Sequence, residues 1–193
     1  MAAGKADLPT LAFASAKAWE AWLARNHAKS AGLWLRIFKK GSGQRSVTYA
    51  EALDGALCYG WIDSQKRPGD DASWLQRFGP RRARGGWSRI NTRHAERLIA
   101  AGRMKAAGLA EVEAARQDGR WQRAYDSPSA ATVPADFLAE LARNRKARAF
   151  FEGLSRANVY AIAYRLQTAK KPETREKRMR AILAMLARGE SFH

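Results

Sequence analysis

Between Trp61 and Ser88 the chain gathers residue types that bind or transform ligands. Trp61, Asp63, Gln65 and Arg67 recur at every second position, which in a regular strand puts all four on one face. Trp74, Gln76 and Phe78 follow with the same period and can face them, depending on register. A carboxylate and two amides among large aromatics are not what an apolar core uses, because an unpaired buried polar group costs about 1–3 kcal/mol. These groups must therefore pair with one another, with arginines, or with a ligand. Two readings stay open: Asp63 is the structural partner of Arg77, Arg81 or Arg82, or the set lines a pocket. The loop that follows, Gly79 to Ser88, adds Arg81, Arg82, Arg84 and Trp87. Guanidinium forks grip phosphate or carboxylate, and an indole offers a face to a base or ring. A second basic cluster, Ala169 to Arg180, straddles a helix start, where Lys171 and Arg175 can close the site or lie on a solvated face beside Glu173 and Glu176. The candidate ligand-binding set is Trp61, Asp63, Gln65, Gln76, Arg77, Arg81, Arg82, Trp87, Lys171 and Arg175.

Other chemistry finds little support. Cys58, the single cysteine, lies on a helix with Leu53 and Leu57 and reads as a small buried thiol. His27, His94 and His193 show no zinc spacing, and no nucleophile elbow, phosphate loop or dinucleotide fingerprint occurs. No metal or cofactor is expected. An enzyme is left only one route, Asp63 as acid or base assisted by arginine.

The elements that must position these residues are legible from periodicity and caps. Ser15 caps a helix carrying Trp19, Trp22 and Leu23. Leu33, Leu35 and Ile37 alternate with Trp34, Arg36 and Phe38, the pattern of a strand apolar on both faces. Thr48 and Glu51 fit a capping box for a helix ended by Gly60. A hairpin spans 61–78 around Pro68-Gly69-Asp70-Asp71. Helices are expected at about 90–101, 106–118, 134–141, 144–153, 155–167 and 172–188. The spacing predicts an α+β fold: a small, mainly antiparallel sheet with helices over 1–125, with the hairpin at its centre. A linker at 126–132 and a helical region at 133–193 packed against the sheet complete it.

Composition bounds the class. The 193 residues hold 35 Lys and Arg against 18 Asp and Glu, a net charge of +17, with 46% hydrophobic residues. The excess sits in two blocks, 61–100 and 136–193, while 101–135 is nearly neutral. Such a charge favours an anionic partner, nucleic acid or a small molecule. No apolar run reaches membrane-spanning length and no basic, apolar leader opens the chain, which points to the cytoplasm.

The ordered motifs Trp22-Leu23, Asn26-His27, Gly32-Leu33-Trp34-Leu35 with Lys39-Lys40, Ser46-Val47-Thr48-Tyr49 with Glu51-Ala52-Leu53, and Ala56 to Gln65 continue through the hairpin and beyond. They go on with Gln76-Arg77-Phe78, Pro80-Arg81-Arg82, Trp87-Ser88 with Asn91, Gly102-Arg103-Met104 with Gly108-Leu109, and Ala169 to Arg175 with Arg178. In these the chain resembles the YdeI/OmpD-associated, or bacteriocin-protection, proteins from about Phe13 to Gly189. The resemblance implies resistance to antimicrobial peptides or bacteriocins, association with an outer-membrane porin and a periplasmic location. Taken with the residues, it leads to the expectation of a non-enzymatic stress- or resistance-associated protein binding an anionic partner. The alternatives are a nucleic-acid-binding protein and an enzyme acting through Asp63 on a phosphorylated or carboxylated small molecule.

Overall fold

Alternation along one strand decides the layering of the sheet. The computed structural model describes residues 8–128 and 130–193. In β2 (Leu33–Phe38) the buried positions are Leu33, Leu35 and Ile37, and the half-buried ones Trp34, Arg36 and Phe38. β1 (Thr10–Ala12) pairs with β2 in parallel. β4 (Ser73–Pro80) pairs antiparallel with β2 and with β3 (Trp61–Pro68), giving the order β1-β2-β4-β3. The fold is α+β, with one small mixed sheet and a helical C-terminal part.

Two compact units divide the chain. The first holds the described residues up to Gly85 with Arg93–Asp118, and the second holds Gly86–Thr92 with the described residues from Gly119 onward. The division falls within α3 (Arg89–Ala100).

In the first unit, α1 (Ala16–Asn26) starts at Ser15, whose hydroxyl accepts from the Ala18 amide, and buries Trp19 and Leu23. α2 (Tyr49–Cys58) begins with the capping box expected of Thr48 and Glu51. These helices lay Trp19, Leu23, Ala52 and Ala56 on Leu33, Leu35, Ile37, Trp61 and Phe78 of the sheet, forming one aromatic-rich core. The Trp19 indole N–H donates to the Ala52 carbonyl at 3.0 Å, so this buried polar atom of the core is paired. α4 (Ala106–Gln117) docks on the end of α2 at Gly108, where a Cβ would stand 2.4 Å from the Cys58 carbonyl oxygen.

The second unit is helical. α5 (Ala135–Ala142), α6 (Arg145–Glu152), α7 (Arg156–Gln167) and α8 (Pro172–Ala187) pack Phe137, Leu141, Ala147, Ile162, Leu166, Ile182 and Leu186 together. Asn144 and Ser155 cap α6 and α7 as their types dictate. Strip 86–92 joins this unit through a bridge from Ser88 to Tyr125.

Candidate functional site

The helices of the first unit gather on one side of its sheet. α1 and α2 fill that side, while Arg97 of α3 and Gly108 of α4 attach to α2. The opposite face is formed by Trp34, Arg36 and Phe38 of β2, Ser73, Leu75 and Arg77 of β4, and Arg67 of β3. Register pairs Trp34 with Arg77, and Leu75 with both Arg36 and Arg67. The Arg67 guanidinium lies over the Trp34 ring, 4.0 Å from its centroid. Leu75 beneath is 6% exposed, whereas Arg67 is exposed and Trp34 and Arg77 are half-buried.

The charges on this face are unequally committed. Arg36 donates to Asp70 at 2.6 Å and to the Ser73 hydroxyl at 3.1 Å. The Ser73 hydroxyl and then the Arg36 charge hold the Asp70 carboxyl below its ordinary value. Among the described residues, neither Arg67 nor Arg77 has a carboxylate partner. Exposed Lys39, Lys40 and Arg45 follow β2 in the next loop, and the Lys39 amide donates to the Ala72 carbonyl at the hairpin turn. The face can therefore receive an anion in a two-armed guanidinium grip around an indole.

On the helical side the expected polar row does not form, and the reason is a β-bulge. Trp61 and Asp63 oppose Pro80 and Phe78, but the register then slips, so that Lys66 opposes Gln76 and Pro68 opposes Trp74. Lys66 and Pro68 thus take the face that strict alternation assigns to Gln65 and Arg67, and Arg67 turns to the open face. Asp63 makes no ion pair among the described residues. Its carboxylate accepts from the Tyr49 hydroxyl at 2.8 Å instead of pairing with Arg77, Arg81 or Arg82. Burial, and then the Asp63 charge, push the Tyr49 phenol well above its ordinary value, which keeps it a donor. Tyr49 also packs 6.0 Å from Trp74, whose ring carries the Lys66 ammonium at 4.4 Å.

The remaining candidates divide between the units. Trp61 is 1% exposed and its N–H donates to the His27 carbonyl, so it packs in the core. Gln76 is 4% exposed and donates to the Gln65 carbonyl, tying the bulge. The Arg81 amide donates to the Gly60 carbonyl, and Arg82 is exposed. Trp87 belongs to the second unit, 4.9 Å from Trp121. There Lys171 is exposed at the start of α8, and Arg175 grips both oxygens of Asp136 at 2.5 and 2.8 Å. Arg178 donates to the Arg165 carbonyl and closes the end of α7.

Sequence reasoning missed the pairing of Trp34 with Arg67. The signal was present in β2, since Leu33, Leu35 and Ile37 mark the core face and leave Trp34 outward. Burial pushes the Cys58 thiol up to about 11, which keeps it protonated near neutrality. No group of three His, Cys, Asp or Glu side chains is placed to hold a metal ion among the described residues. Nor is any helix there long and apolar enough to cross a membrane.

Comparison with known proteins matches residues 11–111 to a domain of unknown function, DUF8412. Residues 130–189 match the family described as "Bacteriocin-protection, YdeI or OmpD-Associated". No curated protein and no solved structure matches the chain. The chain belongs to the family of the first match, which spans more than half of it, and its C-terminal part is a YdeI/OmpD-associated domain.

Proposed function

We propose that this YdeI/OmpD-associated protein is a non-enzymatic, resistance-associated protein that binds an anionic partner on the open face of its sheet. One observation carries the reading: Arg67 and Arg77 flank Trp34 on that face, and no carboxylate answers either of them among the described residues. Arginines without carboxylate partners, one of them laid on an aromatic plane, are arranged to recognise an external anion. The net charge of +17 supports the sign of the partner. The description of the C-terminal match supports the resistance role. The same charge argues against direct capture of cationic peptides, which it repels, so protection would run through an anionic component.

Inorganic polyphosphate is a suitable probe. The protein binds it with an affinity that falls as salt rises. The double variant Arg67→Gln, Arg77→Gln lowers that affinity at least about tenfold at low salt. Its stability changes by no more than about 1 kcal/mol, because both side chains lie on an open face. Equal affinity in the wild type and the double variant, measured by competition against a fluorescent polyanion, would remove this face from the account.

A further inference from the structure

The geometry points to single-stranded nucleic acid as the anionic partner of this face, its bases stacking on the Trp34–Arg67 plane and on Phe38 while its phosphates meet Arg77 and the lysine loop. The inference rests on the anion-binding reading above and names the partner class for the same face.

The surface combines two kinds of group that a plain phosphate does not use together. Arg67 and Arg77 answer negative charge. Trp34, with the Arg67 guanidinium laid over it, and Phe38 are planes held at a sheet surface, and a phosphate alone places no ring on either of them. The guanidinium over Trp34 is itself a stacking plane, since arginine as well as aromatic side chains supports unstacked bases. Trp34 and Phe38 lie four residues apart on one face of β2, about 13 Å at strand rise. A few nucleotides of an extended strand cover that distance. The basic charges continue past Phe38 into Lys39, Lys40 and Arg45, all exposed. Charge and planes therefore run along one line on the strand, alternating as phosphates and bases do along a single strand. A duplex keeps its bases stacked inside and offers mainly phosphates, so it gains nothing from Trp34. Stacking on planes is tolerant of base identity, so recognition is broad in sequence.

The test compares three probes by fluorescence anisotropy: an oligothymidylate of about a dozen nucleotides, a duplex of the same length, and inorganic polyphosphate. The single strand binds more tightly than the duplex. Phe38→Ala, which removes a stacking plane and no charge, weakens oligothymidylate binding at least about fivefold and leaves polyphosphate affinity nearly unchanged. Trp34→Ala, which removes the plane under Arg67, weakens oligothymidylate binding at least about fivefold more than it weakens polyphosphate binding, and serves if Phe38→Ala does not fold. If both variants bind oligothymidylate like the wild type, or if duplex and single strand bind equally, the nucleic-acid inference falls while polyphosphate binding keeps the anion reading alive. If neither oligothymidylate nor polyphosphate binds at low salt, both fall together.

Discussion

Asp54 shows how a single side chain can hold several elements of the first unit. Its carboxylate accepts from Arg97 at 2.6 and 2.7 Å. His94 Nδ1 lies 3.1 Å away, and Arg103, which also donates to Glu20 of α1, stands at 3.8 Å. Burial works against the Asp54 charge, but the hydrogen bonds from Arg97 and His94 outweigh it and hold the carboxyl below its ordinary value. A carboxyl with a lowered folded pKa contributes stability above its unfolded value, near pH 4, and that contribution is lost as pH falls through the folded value. Asp54→Asn is therefore expected to cost about 1–2 kcal/mol at neutral pH, less than a fully buried pair because both arginines reach solvent. Chemical unfolding at a series of pH values checks this: the deficit should shrink towards zero as acid protonates the folded carboxyl, and a constant deficit would mean the charge plays no part. Little of this was legible beforehand, because the partners of Asp54 lie some forty residues away with no periodic relation to it. Tyr49 as the partner of Asp63, fourteen residues away on another element, was hidden for the same want of a periodic relation, whereas Thr48 and Glu51, three residues apart, could be paired from sequence.

At the scale of elements, local rules carried far and failed where one residue was inserted. Caps at Ser15, Thr48, Asn144 and Ser155 operate as their side chains require. The hairpin lies where turn residues and alternation set it. The bulge between Asp63 and Lys66 breaks the alternation, and a polar run such as Ser64-Gln65 carries no mark of it. That slip sends Arg67 to the open face, away from the side that holds Asp63, so the candidate set could not be assigned to faces from period alone. β1, three residues long, was too short to show any period. Gly108 gives a test at this scale. Alanine in a helix interior is normally favourable by about 1 kcal/mol over glycine. Here the added Cβ would meet the Cys58 and Leu57 carbonyl oxygens at 2.4 and 2.6 Å, both backbone atoms that cannot swing away. Gly108→Ala should therefore destabilise the first unit by about 1–3 kcal/mol. A thermal melt at or above the wild-type temperature would contradict the close approach of α4 to α2.

For the whole molecule, the net charge of +17 gains meaning from what each unit does with its basic residues. In the second unit, Arg175 and Arg178 are spent on Asp136 and the end of α7, and Arg148 on Glu152. In the first, Arg36, Arg97 and Arg103 are likewise committed, but Arg67 and Arg77 stand around Trp34 without carboxylates. Counting charges along the chain could not separate these groups, since commitment depends on contacts made by folding. The central claim is that an anion is received at this open face. The chain has seven tryptophans, and two of them, Trp19 and Trp61, are fully buried with their N–H groups donated to carbonyls of the core. Following the indole N–H resonances by NMR while inorganic polyphosphate is added tests the claim most directly. The account predicts that the Trp34 signal moves progressively with the titration while those of Trp19 and Trp61 stay in place. A titration in which polyphosphate binds and Trp34 does not respond would contradict it.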